Sequence, residues 1–242
     1  MTLPSGRVRR PVAPHTTGLL VLAVVLALGM VAAVAVLVRS VIDPGTAGQS
    51  TARGSGVTAT EGRDLPPFTG VDLAGSNTVT VRLGTPQAVV VRADDNLISA
   101  VTTTVESGTL RIGARGSYST QNPMSVSVTV PSLTSVTLSG SGSITVEVSG
   151  RKLAVSLPGS GTVRASGTVV QVIATLGGSG NLELRDLVAR QATARIDGSG
   201  QIRVHATRSL VAAIAGSGVI RYSGNPSSVT SNVTGSGSVT RE

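Results

Sequence analysis

Residues 138–146 read Leu-Ser-Gly-Ser-Gly-Ser-Ile-Thr-Val, and the Gly-Ser-Gly in this stretch recurs five more times between it and residue 242. The six copies begin at positions 140, 159, 178, 198, 216 and 235, so they are 19, 19, 20, 18 and 19 residues apart. A period near 20 residues that holds for five intervals indicates a repeat architecture. The tripeptide alone predicts nothing, because Gly54-Ser55-Gly56 lacks the apolar flanks that accompany the six copies.

Apolar residues flank every copy at a spacing of two, and this alternation indicates β-strands. Two positions before the first glycine, the copies carry Leu138, Leu157, Leu176, Ile196, Ile214 and Val233. Two positions after the second glycine, they carry Ile144, Val163, Leu182, Ile202, Ile220 and Val239. Strand side chains alternate between two faces, whereas a helical face repeats about every 3.6 residues. We therefore expect an all-β fold, a parallel β-solenoid of about 19 residues per coil with strands about 4.8 Å apart.

The glycines of the tripeptide are predicted corner residues. We expect them to permit a sharp turn with positive φ and to leave room for the backbone of the next coil. The twelve are Gly140, Gly142, Gly159, Gly161, Gly178, Gly180, Gly198, Gly200, Gly216, Gly218, Gly235 and Gly237. The serines between them favour hydrogen bonds within the turn, and a repetitive recognition surface is the alternative. These serines are Ser141, Ser160, Ser179, Ser199, Ser217 and Ser236.

The N-terminal region predicts export. Residues 1–17 are basic, and residues 18–38 carry no charge over 21 positions, which as a helix spans a bilayer core of about 30 Å. Arg7, Arg9 and Arg10 precede the span, so we expect a signal anchor with a cytoplasmic N-terminus and an extracellular C-terminal domain. Secretion after cleavage near Ala33-Val34-Ala35 is the alternative, although signal h-regions are shorter, roughly 7–15 residues.

Residues 39–66 are rich in Gly, Ser, Thr, Ala and Pro without an apolar period, which predicts a flexible tether. A β-helical domain is predicted over residues 67–242. Its first coil contains Gly75-Ser76-Asn77, since Asn tolerates the left-handed region. An insertion follows, in which we expect antiparallel strands beside or capping the first coils. Its strand-like runs lie at 88–92, 100–105, 109–113 and 125–130.

The stretch from Phe68 to Glu242 resembles the bacterial family called putative auto-transporter adhesin, head GIN domain. The resemblance rests on Phe68-Thr-Gly-Val-Asp-Leu73, on Val89-Val-Val-Arg-Ala-Asp-Asp-Asn-Leu97, on Gly108-Thr-Leu-Arg-Ile112 and on the Gly-Ser-Gly coils that follow. It implies a single-stranded, right-handed β-helix in an exported or surface protein. The family carries no agreed catalytic residues, so none is transferred to this chain.

No constellation in the sequence predicts catalysis, a cofactor or a metal site. The acids Glu147, Glu183, Asp186 and Asp197 fall at different phases of the repeat, so neighbouring coils do not align two carboxylates. His205 has no acidic partner in register and is interpreted as a solvent-facing residue. Asp94-Asp95-Asn96 lacks the spacing of a calcium loop and favours a turn. The chain has no cysteine, which excludes thiolate sites.

One row of outward positions is the candidate binding surface. It lies three residues after each second glycine and includes Arg164, Glu183, Arg203 and Arg221. The simple interpretation is cross-strand charge pairing of Arg164, Glu183 and Arg203. Arg221 gives the row a net positive charge, and the whole chain carries +8. The functional interpretation is that the row binds an anionic polymer or lipid headgroups.

We therefore expect a membrane-anchored, non-catalytic domain for adhesion or interaction at the cell envelope. Its expected partners are an anionic envelope polymer or a surface protein, and self-association through an uncapped C-terminal coil. Nucleic acid is not expected, because the chain has only three aromatic residues to stack on bases. Two alternatives stay open, an enzyme acting on an envelope polysaccharide and a stalk or assembly module.

Overall fold

Two ladders of hydrogen-bonded strands lie on either side of the Gly-Ser-Gly corners. The pre-corner ladder contains the strand segments that lead into the corners, and the post-corner ladder contains those that leave them. The computed structural model describes residues 51–242, which form one compact unit. The strands are β1 (Ala52–Arg53), β2 (Thr58–Arg63), β3 (Gly70–Leu73), β4 (Thr78–Leu83), β5 (Ala88–Asp94), β6 (Val101–Glu106), β7 (Thr109–Ala114), β8 (Tyr118–Ser119), β9 (Ser125–Val130), β10 (Ser135–Leu138), β11 (Ser143–Leu157), β12 (Thr162–Leu176), β13 (Asn181–Ile196), β14 (Gln201–Ala215), β15 (Val219–Ser223), β16 (Ser228–Thr234) and β17 (Ser238–Arg241).

The parallel solenoid predicted from the repeat is confirmed. Strands β11–β14 each leave one corner, bend near their middle and run into the next corner, so each contributes to both ladders. The predicted apolar ladder is in register, since Ile144 pairs with Val163, Val163 with Leu182 and Leu182 with Ile202. A 3-10 turn at Ile98–Ala100 is the one helical element among residues 51–242.

The core lies between the two ladders and consists almost entirely of aliphatic side chains. The apolar flanking positions of the first five corners are buried, and most of them have no accessible surface. Each buried leucine, isoleucine or valine contributes about 1.5–3 kcal/mol by removal from water. Stacking of these equivalent side chains explains why an aromatic core is not needed.

Close packing between coils, rather than positive φ, requires glycine at most corners. A Cβ on Gly159 would lie 2.2 Å from the carbonyl oxygen of Gly140, and one on Gly161 would lie 2.2 Å from that of Gly142. Real Cβ atoms do not approach a carbonyl so closely. Only Gly216 and Gly235 among the twelve corner glycines have positive φ. The expectation of positive φ is therefore wrong for the other ten, and the expectation of close backbone approach is right.

The insertion contains the four predicted strands, and it caps the N-terminal end of the solenoid. Strands β7 and β9 pair in parallel with β3 and β4, so they form a further coil below the first predicted one. Antiparallel strands then cover this coil, with β6 on β7 in the pre-corner ladder and β5 on β9 in the post-corner ladder. The Gly75-Ser76-Asn77 corner lies directly against Gly140 and Gly142, as its pattern predicts.

The predicted tether is too long at its C-terminal end. Residues 52–53 pair with β8, and β2 pairs antiparallel with β5 along its whole length. Backbone hydrogen bonds and not apolar side chains hold β2, because all six of its residues are exposed or half-buried. Hydrophobic periodicity therefore could not reveal this strand.

The predicted basic tail (1–17), membrane span (18–38) and first part of the tether (39–50) lie outside the described residues. Within residues 51–242, no helix has the length and hydropathy needed to cross a membrane.

The C-terminal end of the solenoid differs from the capped N-terminal end. All residues of β16 are exposed, although β16 pairs in register with the second half of β14, whose core-facing residues are buried. Val229 and Val233 occupy core-facing positions opposite Leu210 and Ile214, yet they are 42% and 40% exposed. Among residues 51–242, no strand pairs with the outer edges of β16 and β17.

Candidate functional site

The predicted row of outward side chains is aligned on the post-corner ladder. Arg164 pairs in register with Glu183, Glu183 with Arg203, and Arg203 with Arg221. The residues on either side of Arg164, Val163 and Ala165, are buried in the core, so Arg164 points to solvent. The row thus forms a continuous strip across strands β12–β15.

A groove of about 430 Å³ lies along this strip. Strands β11, β12, β13 and β14 all contribute to it. Its lining residues are Thr145, Val146, Arg164, Ala165, Ser166, Glu183, Arg185, Asp186 and Arg203. Three arginines and two acids give the lining one net positive charge, so the groove is polar and weakly basic.

Arg185 and Asp186 of β13 also line the groove, and a bulge in the strand accounts for Asp186. Residues 184–186 of β13 lie opposite only residues 165–166 of β12, and residues 185–187 have no partner on β14. A bulge of this kind bends the strand and redirects its side chains. The sequence carried a signal for it, because the corner spacing across β13 is 20 residues and the next one is 18. Arg185 was not among the predicted residues, although it lies two positions after Glu183 on the same outward face of β13.

Arg203 is the best-connected charge in the groove. Its Nη1 donates to Glu183 Oε2 at 3.2 Å and to Oε1 at 3.5 Å. Its Nε lies 3.4 Å from Glu242 Oε1, but this Nε is buried and makes no hydrogen bond of acceptable geometry. Glu242 Oε2 also lies 4.0 Å from Arg185 Nη1. The carboxylate of Glu242 therefore sits between two arginines without a good hydrogen bond to either.

The predicted charge pairing forms only in part. Glu183 pairs with Arg203, whereas Arg164 makes no ion pair within 4.0 Å in residues 51–242. Arg221 also has no ion pair in the described part of the chain. Two of the three arginines of the predicted row thus have no carboxylate within 4.0 Å in residues 51–242.

The structure brings two of the four candidate acids together. Glu183 and Asp186 line the same groove, which their phases in the repeat did not suggest. The bulge changes the direction of the Asp186 side chain, so the prediction that the four acids keep a regular phase in the repeat does not hold for Asp186. Asp197 lies elsewhere and accepts hydrogen bonds of 2.7 and 2.8 Å from Arg195. No group of three metal-ligating side chains occurs in residues 51–242.

His205 neighbours a hydroxyl and not a carboxylate. Its Nδ1 lies 3.3 Å from Ser223 Oγ on the adjacent strand β15, and the ring is half-buried. Among the residues described, no acidic group bonds the ring. His205 lies between the buried Val204 and Ala206, on the outward face of β14, and its ring is half-buried beside Ser223.

The Asp94-Asp95-Asn96 turn anchors the cap. Asp94 is completely buried, and its carboxylate accepts hydrogen bonds from Gln121 N at 2.9 Å and from Asn122 Nδ2 at 2.6 Å. The backbone hydrogen bond from Gln121 is the main cause that lowers the pKa of Asp94. Asp94 thereby ties β5 to the loop that follows β8.

The serines of the corners form an exposed line of hydroxyl groups. All six are exposed, and in residues 51–242 none of these hydroxyls bonds another protein group. The expected turn hydrogen bond from the serine side chain is therefore absent. A water-accessible surface, and not turn stability, is what these side chains provide.

Comparison with known proteins places the solenoid in a family. Residues 67–226 match the family described as "putative auto-transporter adhesin, head GIN domain". The solved structure of a putative adhesin from Bacteroides fragilis has the same fold, with 22% identity, a TM-score of 0.66 and coverage of 78% of this chain and 99% of that chain. A putative lipid binding protein from Parabacteroides distasonis matches with 25% identity, a TM-score of 0.52 and coverage of 80% and 100%. No curated protein matches the chain.

Proposed function

The chain belongs to the "putative auto-transporter adhesin, head GIN domain" family, and we propose that it is a non-catalytic interaction domain displayed at the cell envelope. The groove of the post-corner ladder supports this proposal best. It presents Arg164 without an ion pair in residues 51–242, beside the polar side chains of β13. We extend to this chain the single-stranded, right-handed coil that the family resemblance implies.

The proposed ligand is an anionic polymer of the envelope. Arg164 and Arg221 lie in one register row and lack ion pairs in residues 51–242, so they offer charge to a repeating polyanion. Charge attraction of this kind raises local ligand concentration and weakens with salt. The family name and the lipid-binding description of one structural relative are compatible with an envelope ligand.

The proposed placement is a single-pass membrane protein with an extracellular solenoid. The 21 uncharged residues at 18–38 and the arginines that precede them support an anchor with a cytoplasmic N-terminus. Extraction of membranes with alkaline carbonate tests the anchor. Full-length protein that stays with the membrane pellet supports it, whereas release of a shortened chain into the medium supports cleavage and secretion.

The experiment that tests the ligand is co-sedimentation of residues 51–242 with the organism's own envelope fraction in 50–500 mM salt, a range that shortens the screening length to a few ångströms. We expect saturable binding that falls steeply with salt. The double variant Arg164→Gln/Arg221→Gln should lose most of the binding. Arg151→Gln/Arg190→Gln is the matched control, because it removes two exposed arginines outside the row. An equal loss of binding in both double variants would show that binding depends on net charge and not on the row. Absence of binding at every salt concentration would reject the proposal.

An enzyme acting on an envelope polysaccharide is the alternative that one observation favours. Glu183 and Asp186 line the same groove, and a pair of carboxylates is the machinery of glycoside hydrolysis. Against this role, both oxygens of Glu183 are engaged by Arg203 Nη1. Release of reducing ends from envelope polysaccharide, lost in Glu183→Gln and in Asp186→Asn, would establish the enzyme.

A further inference from the structure

The distances from the Glu242 carboxylate to the arginines of the groove are longer than those of a charge-assisted hydrogen bond. Charge-assisted hydrogen bonds between a guanidinium and a carboxylate are about 2.7–2.9 Å long. Glu242 instead lies 3.4 Å from Arg203 Nε and 4.0 Å from Arg185 Nη1. The buried Nε of Arg203 makes no hydrogen bond. A buried donor without an acceptor costs free energy. A better-placed oxyanion would remove this cost.

Arg203 is held in place by groups other than Glu242. Glu183 binds its Nη1, and β14 positions its backbone between β13 and β15. The guanidinium is therefore oriented before any ligand arrives, and such preorganisation lowers the entropic cost of binding. Arg185 differs, because 61% of its side chain is exposed. One fixed and one adaptable guanidinium thus face the same carboxylate.

The backbone ties Glu242 to this position. Its amide donates to the carbonyl oxygen of Tyr222 at 2.9 Å, which continues the pairing of β17 with β15. Its side chain is only 27% exposed and extends back across β15 to β14 and β13. A tethered carboxylate acts at high effective concentration, so it competes with any free anion for the same donors.

We propose that Arg185 and Arg203 form an oxyanion subsite of the groove, for a phosphate or carboxylate group, and that the Glu242 carboxylate is its internal competitor. The ligand displaces Glu242 and accepts hydrogen bonds from Arg203 Nε and from Arg185. The inference rests on the proposed function, since it names the ligand chemistry of the same groove. It adds a residue, Glu242, whose removal strengthens binding.

Calorimetric titration of residues 51–242 with two soluble probes, polyphosphate and poly-L-glutamate, tests the subsite. We expect Glu242→Gln to lower Kd by about three- to fivefold, since a partly exposed charge pair is worth up to about 1 kcal/mol. Glu106→Gln is the matched control, because it removes the same charge on β6 and should change Kd less than twofold. Arg185→Gln should raise Kd, whereas Arg190→Gln on the same strand should not.

The two probes distinguish the sources of the oxyanion. A larger effect of Glu242→Gln with polyphosphate assigns the subsite to phosphate, and a larger effect with poly-L-glutamate assigns it to carboxylate. Equal Kd values for Glu242→Gln and Glu106→Gln with both probes would overturn the inference. If Glu242→Gln alone is without effect while the native domain still binds the envelope, the proposed function stands. If neither probe nor envelope binds, both fail. Thermal unfolding checks that each variant is folded.

Discussion

Gly167 shows at the scale of one residue how tightly neighbouring coils pack. Its φ is +116°, and a Cβ there would lie 1.9 Å from the carbonyl oxygen of Val148. It belongs to β12 at the point where the strand leaves regular register with β13. The residue therefore combines a backbone conformation that favours glycine with a contact that only glycine permits.

Substitution of Gly167 by alanine should destabilise the domain by about 2–4 kcal/mol, from the strained φ and from displacement of β11. Gly150→Ala is the matched control, since a Cβ at Gly150 meets nothing within 4 Å. That control should be neutral or slightly stabilising. Urea unfolding followed by circular dichroism measures both. Equal urea midpoints for the two variants would contradict this explanation of the glycine at position 167.

Asp94 makes the cap sensitive to acid. Its pKa is lowered from the ordinary value of 3.8, chiefly by the backbone hydrogen bond from Gln121. A carboxyl whose pKa is lower in the folded than in the unfolded state stabilises the fold above the unfolded pKa, and this stability is lost as pH falls through the folded pKa. We expect unfolding at pH 7 to require more urea in the native chain than in Asp94→Asn, and this difference should shrink below about pH 4.

Asp64→Asn is the control for this measurement, because Asp64 is exposed and lies outside the Asp94 network. It should leave the pH dependence of the urea midpoint unchanged. A constant difference between native chain and Asp94→Asn from pH 7 to pH 3 would show that the Asp94 carboxylate does not act through its charge.

At the scale of the element, apolar side chains in the middle of the ladder should contribute more to stability than those at its C-terminal end. Leu176 is completely buried on β12, whereas Val233 occupies the equivalent position on β16 and is 40% exposed. Leu176→Ala should cost about 2–5 kcal/mol, because it removes buried methyl groups and leaves a cavity. Val233→Ala should cost less than about 1 kcal/mol. Thermal unfolding compares the two, and a larger loss for Val233→Ala would indicate that another molecule covers the end.

The bulge of β13 shows what an element does for the site. In a regular strand Arg185 would still face outward, two residues after Glu183, whereas Asp186 would face the core. The bulge leaves both side chains exposed, so Asp186 joins the groove beside Arg185. The 20-residue spacing indicated an extra residue, but only the register of three strands located it.

At the scale of the whole molecule, the two ends of the solenoid are unequal. Antiparallel strands β5 and β6 cover the N-terminal coil, whereas β16 and β17 have free outer edges in residues 51–242. Free edges and exposed core-facing valines favour pairing with another copy. This is the proposed role of the C-terminal coil in self-association.

We expect residues 51–242 to self-associate with a concentration-dependent sedimentation coefficient, and Val229→Lys/Val233→Lys to remain monomeric, because two charges on an open end oppose strand addition. Val170→Lys/Val211→Lys is the matched control, since these exposed valines are 44% and 48% accessible on strands paired at both edges. A native chain that stays monomeric at every concentration removes the proposed self-association.

The repeat by itself determined the all-β solenoid, the register of the apolar ladder, the first coil at Gly75 and the strands of the insertion. This was possible because burial in a solenoid depends on local alternation, and stacked equivalents keep their sequence phase. The tertiary structure alone decided that β2 belongs to the cap, that Arg185 and Asp186 join the groove, and that Glu242 reaches Arg203. These features arise from backbone pairing, from a bulge and from a contact between coils, and none of them leaves an apolar period in the sequence.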